Sequence, residues 1–229
     1  MSNICIIPAR GGSQRIPRKN IREFCGRPII AYSIEAALTS GAFDEVMVST
    51  DDEEIAAIAK QCGAKVPWMR SKETSGSAVP MREVIREVLA EYSVREREFD
   101  YACMVYATAP LISSGDLAVS AKAVYGAYSS LIAVAQDSNP MERSMYLNNG
   151  YLQQMYPLDH DRPTNLFQPT YHHAEHFWWV AVNKFKIRLD LWLEDTGAYI
   201  VPEYRVCKID TLADWTHAEA KFKALEVLG

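Results

Sequence analysis

Residues 3–21 of the chain read NICIIPARGGSQRIPRKNI, and this stretch decides the predicted fold. Its apolar run, residues 4–7, is rich in isoleucine, which is typical of a buried strand in a parallel sheet. Pro8 ends the run, and a loop with two adjacent glycines, Gly11 and Gly12, follows. Glycines let backbone N–H groups approach an oxyanion closely and adopt conformations that other residues avoid.

The same loop carries concentrated positive charge. Six of the 24 basic residues lie between positions 10 and 27, against one acid, Glu23. A strand, a glycine loop and cations, in this order, predict a cradle for phosphate groups. A solvated basic surface is the alternative, since runs of charge usually face water. The chain contains neither the P-loop pattern G-x-x-x-x-G-K-[ST] nor the dinucleotide pattern G-x-G-x-x-G.

Composition predicts a single α/β domain that spans residues 1–229. Apolar residues make up 48% and charged residues 23%, which are ordinary values for a soluble globular protein. The five cysteines are scattered, which favours reduced thiols in the cytoplasm over disulfides or a zinc site. The first strand begins at once, without a charged leader, and no apolar run reaches 18 residues. We therefore expect neither a signal peptide nor a membrane span.

The net charge of −5 argues against a general nucleic-acid-binding protein, which would have a broad basic surface. Positive charge is local here while the whole chain is acidic. This distribution favours a small anionic ligand that binds at one loop.

The order of predicted elements is that of a doubly wound parallel sheet. Predicted strands cover residues 4–7, 45–49, 66–69, 101–106, 130–134, 177–182 and 205–209. Predicted helices cover residues 30–38, 55–62, 84–92, 116–124 and 215–225. We expect Thr50 or Asp51 to cap the second helix and Thr211 with Asp214 to cap the last. Because ligands bind beyond the carboxyl ends of such strands, Arg10, Arg70 and Thr108 are expected to converge.

The alternation of strands and helices breaks at residue 139. Asn149 and Gly150 stand between two alternating runs, which is a strong signal for a β-hairpin. Three prolines and many polar residues follow. Residues 139–168 are therefore predicted to form an arm inserted into the sheet domain.

The loop sequence ARGGSQRIPRKN resembles the signature A-R-[GS]-G-S-K-[GR]-[IL]-P-x-K-N of the sugar-acid cytidylyltransferases, with Gln14 in place of a lysine. The resemblance covers nearly the whole chain. Three pieces are similar to the pseudaminic acid branch of that family: RIP at residues 15–17, YATAPL at 106–111 and YHHAEHFWW at 171–179. The resemblance implies a Rossmann-like nucleotidyltransferase sheet and a homodimer in which residues 139–168 form a dimerisation arm.

The reaction implied by the resemblance transfers CMP from CTP to a nine-carbon 2-keto sugar acid and releases pyrophosphate, for surface-glycan or flagellin glycosylation. Pseudaminic acid is the favoured acceptor, and sialic or legionaminic acid is the alternative. A nucleotide- or sugar-binding paralogue without catalysis and a different nucleotidyltransferase, such as a uridylyltransferase, also stay open.

The resemblance assigns roles to particular residues. Those implied in catalysis are Arg10, Lys19 and Asp210. Those implied in nucleotide binding are Arg10, Gly11, Gly12, Ser13, Asn20 and Arg70. Those implied in sugar binding are Tyr106, Thr108, Arg143, Arg162, Phe177 and Trp178.

The implied Mg²⁺ site departs from the family pattern. The family carries D-I-D-T where this chain has KIDT at residues 208–211, so Asp210 alone remains as a metal ligand. Lys208 either pairs with Asp210 or a phosphate while Asp210 holds the metal, or it replaces part of the metal's charge and lowers activity. We favour retained activity, because Mg²⁺ needs only one or two protein carboxylates when phosphates supply other ligands. Gly76 and Glu175 are further departures.

Other conspicuous residues have simpler interpretations. The spacing of His172, His173 and His176, without a cysteine or a paired acid, does not favour a metal site. The aromatic run at residues 177–179 is more typical of core than of a sugar platform. Helix capping accounts for Asp51 and Asp52 better than metal binding does.

Overall fold

The computed structural model describes residues 1–159 and 161–228. His160, within the predicted arm, and Gly229, at the end of the predicted domain, lie outside the described residues. The strands are β1 (Asn3–Pro8), β2 (Glu23–Phe24), β3 (Arg27–Pro28), β4 (Glu45–Ser49), β5 (Tyr101–Val105), β6 (Ser130–Gln136), β7 (Met145–Asn148), β8 (Tyr151–Gln154), β9 (Tyr171–Ala181) and β10 (Thr196–Ile200). The helices are α1 (Ile29–Thr39), α2 (Glu53–Gln61), α3 (Met81–Val94), α4 (Ser114–Val124), α5 (Val182–Arg188) and α6 (Leu212–Leu228). Among these residues, no helix combines the length and apolarity needed to cross a bilayer.

Six strands form the central sheet in the order β10-β6-β9-β5-β1-β4, which confirms the α/β class. All neighbours pair in parallel except β9, which runs antiparallel to both β5 and β6. The direction of β9 follows from the insertion: the chain leaves β6 at the carboxyl edge and, after the arm, re-enters the sheet from that same edge. The sheet is therefore mostly, but not wholly, parallel.

The core lies on both faces of the sheet, as the apolar run of β1 predicts. Ile4 and Ile6 pack with α3 and α5 on one face, while Cys5 and Ile7 pack with α1, α2 and α4 on the other. Alternate side chains of a strand point to opposite faces, so a strand covered on both sides is apolar throughout. This central position fixes the end of β1, where the glycine loop begins.

Two predicted strands are wrong. Residues 66–69 form no strand; Lys65 makes a single bridge to Met47, and Pro67 has no N–H to continue the ladder. Residues 205–209 follow a 3-10 turn at Glu203–Arg205 and join no sheet. The edge strand is β10 instead. Its Gly197 weakens the strand signal, and it is required because the Tyr128 ring lies 2.7 Å from where a Cβ would stand.

The predicted cap of α2 is also wrong by one or two residues. Asp52, not Thr50 or Asp51, accepts the Ile55 N–H through its carboxylate at 3.0 Å. The predicted cap of α6 is confirmed, since Asp214 and Thr211 exchange hydrogen bonds in the manner of a capping box.

The predicted hairpin is confirmed within residues 139–168. Strands β7 and β8 pair around Asn149 and Gly150, whose φ values of 49° and 84° suit a type I′ turn. Seven of the eight strand residues are exposed, and the eighth is half-buried. The hairpin therefore extends from the domain with both faces open.

Candidate active site

A cavity of about 410 Å³ opens at the carboxyl edge of β1 and β5, where the sheet geometry predicts a ligand. Pro8, at the end of β1, and Tyr106, directly after β5, form part of its wall. Eight residues with a predicted role line it: Arg10, Ser13, Lys19, Asn20, Arg70, Tyr106, Thr108 and Asp210. The expected convergence of Arg10, Arg70 and Thr108 is therefore confirmed.

The loop between β1 and α1 is held in place by its own contacts. Ile16 is completely buried in a cluster with Ile209 and Trp215. Arg18 has a left-handed backbone, with φ 56°, and its guanidinium pairs with Asp52 at 2.5 Å. The Asn20 amide donates to the Arg10 carbonyl at 2.9 Å. The loop is thus held by contacts within the chain.

The two glycines differ from expectation, because neither has a positive φ. Gly11 is required for space: a Cβ there would lie 2.6 Å from Asp52 Oδ2. Its N–H donates to Asp51 Oδ1 at 2.9 Å, and the Ser13 N–H donates to the Gly11 carbonyl at 3.0 Å. Around Gly12 the space is open. The N–H groups of Gly11 and Ser13 must give up their present acceptors before they can donate to a phosphate.

One buried and two half-buried cations line the cavity. Arg70 is 8% exposed, and its Nε donates to Ser49 Oγ at 2.9 Å. Lys19 donates to the Ile209 carbonyl and so ties the loop to the segment that carries Asp210. Burial lowers the pKa of both cations below their usual values. Arg10 reaches across the cavity to the Gly76 carbonyl at 3.2 Å. An anionic ligand would meet positive groups that are already positioned.

Asp210 lies among three cations. Its Oδ2 is 2.8 Å from Arg15 and 3.6 Å from Lys208, and its Oδ1 is 4.0 Å from Lys19. Lys208 is also 3.6 Å from Oε1 of Glu175, a second acid in the cavity wall. Burial is the largest cause of the raised pKa of Glu175. The sequence left open whether Lys208 pairs with Asp210 or with a phosphate. The structure answers this part of the question, because Lys208 pairs with Asp210.

Glu175 reaches the cavity through an irregularity of β9. The pairing of β9 with β6 shifts register between residues 173 and 178, and Glu175 has φ 53° there. Its N–H donates to His173 Nδ1 at 3.1 Å, which places the His173 proton on Nε2. Burial lowers the pKa of His173 to about 4, so its ring is neutral at pH 7. This ring lies between Tyr106 and Trp178.

Six predicted residues lie outside the cavity wall: Gly11, Gly12, Arg143, Arg162, Phe177 and Trp178. The predicted sugar-binding role of Phe177 is wrong, because its side chain is completely buried and packs on Tyr199, leaving no surface for a sugar. Trp178 is half-buried and donates to Ser130 Oγ at 2.7 Å. Arg143 and Arg162 both lie over the Phe167 ring, on the arm.

Several cavity residues were assigned no catalytic, nucleotide-binding or sugar-binding role by the resemblance. Arg15, Thr74, Ser77, Glu175 and Lys208 line the wall. For Lys208, the sequence signal is its spacing from Asp210, since residues two apart on an extended chain face the same side. For Glu175 the signal is its departure from the family pattern, although the irregularity of β9 that brings it to the cavity arises from the pairing with β6.

The fold and the basic cavity define a nucleotidyltransferase-type α/β protein. The sequence matches the cytidylyltransferase family over residues 4–174, and the chain belongs to that family. It is 37% identical over 226 residues to the pseudaminic acid cytidylyltransferase of Campylobacter jejuni, with 97% of each chain covered. The CMP-N,N'-diacetyllegionaminic acid synthase of Legionella pneumophila is 38% identical over 110 residues, which is 48% of this chain and 47% of the relative.

Among solved structures, a CMP:2-keto-3-deoxy-manno-octonic acid synthetase complexed with CTP superposes with a TM-score of 0.71. The match covers 99% of this chain and 100% of the other, at 19% identity. At this identity the likeness shows the shared fold alone. The chain is an enzyme of the cytidylyltransferase family, and its central sheet matches that of nucleotidyltransferase structures.

Cytidylyltransferases of this kind generally use a divalent metal ion. The donor set of the cavity fits a hard cation in one respect, since Asp210 and Glu175 both present carboxylate oxygens. Both are paired with cations, so the fit depends on phosphate oxygens that draw those cations away and complete the ligand shell. Among the residues described, no three His, Cys, Asp or Glu side chains are grouped to hold a metal without such help.

Proposed function

We propose that the protein transfers CMP from CTP to a nine-carbon 2-keto sugar acid, with pseudaminic acid as the favoured acceptor, and releases pyrophosphate. The observation that carries this proposal is the end-to-end identity of 37% to a pseudaminic acid cytidylyltransferase. The cationic cavity at the end of β1 supports it, because a triphosphate needs such a site.

In the proposed reaction the anomeric hydroxyl oxygen attacks the α-phosphorus. A new P–O bond forms, the bond from the α-phosphorus to the oxygen of the β-phosphate breaks so that pyrophosphate leaves, and the hydroxyl proton passes to water. Negative charge grows on the phosphate oxygens, and Arg10 and Lys19 stabilise it from their fixed positions. Arg70 faces the nucleotide, while Tyr106 and Thr108 face the sugar acid. Ser13 and Asn20 keep the loop in shape around the triphosphate.

A Mg²⁺ ion bound with the nucleotide would neutralise and align the triphosphate. Asp210 is the protein carboxylate proposed to contact it. Mg²⁺ usually keeps several waters and binds through one or two carboxylates plus substrate phosphates, so one such side chain suffices.

We further propose a homodimer in which residues 139–168 are the contact arm of a single catalytic domain. The exposed apolar surface of the hairpin supports this, and it comprises Met145, Tyr146, Leu147, Tyr151 and Leu152. An apolar patch of this kind marks an interaction site on a protein surface. We place the reaction in the cytoplasm, in keeping with five cysteines that are free in the described part of the chain.

Release of pyrophosphate from CTP tests the function, with pseudaminic, legionaminic and N-acetylneuraminic acids as acceptors and Mg²⁺ present. We expect release with pseudaminic acid above the other two. A preference for one of the others would move the assignment to that acid. No release with any acceptor would favour the paralogue without catalysis, for which the ion pairs of Lys208 are the specific observation.

A further inference from the structure

Lys208 lies between two carboxylates at the wall of the cavity. Its Nζ is 3.6 Å from Glu175 Oε1 and 3.6 Å from Asp210 Oδ2. The side chains of Glu175 and Asp210 are 26% and 23% exposed, whereas that of Lys208 is 64% exposed. The ammonium therefore approaches two partly buried acids from the solvent side, as a bound cation would.

Glu175 reaches this position through an unfavourable backbone conformation. Its φ of 53° is in the left-handed region, which residues other than glycine, asparagine and aspartate rarely adopt. The irregular pairing of β9 holds it there and brings its carboxylate to the cavity wall. Lys208 is its ion-pair partner among the residues described.

The charges of this cluster do not favour a resident metal. Three cations, Arg15, Lys19 and Lys208, surround Asp210 within 4.0 Å, while Glu175 adds one further negative charge. Asp214, whose carboxylate accepts the Asp210 N–H at 3.0 Å, adds a third negative charge, so the two signs balance in the cluster. A divalent ion entering the free protein would meet the Lys208 ammonium at short range, where Coulomb interactions are strong.

We propose that the Lys208 ammonium, held between Glu175 and Asp210, is a built-in cation that excludes divalent metal from the free protein, so that the metal binds only together with the triphosphate. The binding of the metal together with the triphosphate rests on the proposed function. The triphosphate makes the local charge negative, and the exposed Lys208 side chain then moves from the carboxylates to a phosphate oxygen. Glu175 acts here as a positioning residue for Lys208.

Mn²⁺ binding to the protein without nucleotide tests the proposal, measured through the electron paramagnetic resonance signal of the free ion. Lys208→Met removes the charge and keeps the side-chain length. Lys186→Met is the matched control, since Lys186 pairs with Glu98 at 2.6 Å outside the cavity. We expect weak and equal Mn²⁺ binding by the wild type and the control. The Lys208→Met variant should bind at least about tenfold more tightly, because a unit charge next to the ion is gone.

A second variant tests the carboxylates directly. Glu175→Gln added to Lys208→Met removes one of the two acids freed by the first change, so the gain in Mn²⁺ affinity should fall severalfold. In the wild type, CTP should raise Mn²⁺ binding above the level that the same concentration of CTP gives without protein. Circular dichroism confirms that each variant is folded.

The proposal is overturned if folded Lys208→Met binds Mn²⁺ no more tightly than the wild type. It is equally overturned if the wild type binds Mn²⁺ as tightly without CTP as with it. Calorimetric titration with CTP in the presence of Mg²⁺ separates the two proposals. If CTP does not bind at all, the proposed function fails, while the Mn²⁺ comparison on the free protein still decides the role of Lys208.

Discussion

The loop after β1 and the hairpin β7–β8 differ in the contacts that their side chains make within the chain. In the loop, Ile16 is completely buried, and Arg18 and Lys19 are bound by groups of the same chain. In the hairpin, Leu147 and Leu152 are 71% and 68% exposed. The comparison teaches that the loop is built by contacts within the chain. The hairpin, in contrast, has apolar residues that only another surface could cover.

The largest expected effect follows from the loop cation Lys19. Lys19→Met should lower kcat/KM for CMP transfer about 10²–10³-fold, the usual loss when one positioned donor to a developing charge is removed. Steady-state pyrophosphate release measures it, with Lys186→Met as the control for loss of a surface charge. Equal rates in Lys19→Met and the wild type would show that the loop does not face the reacting phosphates.

The anchor of the loop should matter for stability. Ile16→Ala removes a completely buried side chain beside Ile209 and Trp215, and we expect a loss of about 3 kcal/mol in the free energy of unfolding. Urea denaturation followed by circular dichroism measures the change. A loss below about 1 kcal/mol would mean that the loop is not packed as described, and the contrast with the hairpin would disappear.

The buried part of β9, beyond the exposed end at which the arm rejoins the sheet, should make stability depend on pH. Burial lowers the pKa of His176 to about 4, below its ordinary value of 6.5. As the pH falls from about 6.5 to 4, the unfolded chain gains a proton that the folded chain does not, so stability is lost in that window. At pH 5 the loss relative to pH 7 amounts to about 2 kcal/mol.

His176→Gln should therefore flatten the pH dependence of the free energy of unfolding by this amount. Urea denaturation at pH 7 and pH 5 provides both values. An identical pH dependence in His176→Gln and the wild type would contradict the neutral, buried state of this ring.

The smallest effect on the single chain is expected in the hairpin. Leu147→Ser and Leu152→Ser should change the free energy of unfolding of the monomer by no more than about 0.5 kcal/mol, since both side chains are exposed. Sedimentation equilibrium should nevertheless show weaker self-association. Unchanged association in the double variant would remove the hairpin from the proposed dimer contact.

Local patterns predicted those parts of the fold that depend on local signals. The apolar runs fixed β1 and β4, and the 3.6-residue spacing gave the buried stripe of α3. The asparagine–glycine turn located the hairpin. Strand β10 was missed because Gly197 is explained only by the distant Tyr128 ring, which no local pattern encodes.

The candidate site likewise contains residues that order along the chain predicts and residues that depend on distant contacts. Arg10, Arg70 and Thr108 converge because the ends of parallel strands meet at one edge, so order along the chain was enough to predict them. The approach of Glu175 to Lys208 depends on a register shift in the pairing of β9 with β6. Phe177 was assigned to the sugar by its position in a motif, whereas burial in the core decided its actual place.

A crystal structure of the protein with CTP tests the central claim most directly. The account predicts the triphosphate in the cavity beyond β1, with phosphate oxygens within hydrogen-bonding distance of Arg10 and Lys19. A nucleotide bound elsewhere, with both of these side chains left in their present contacts to Gly76 and Ile209, would contradict it.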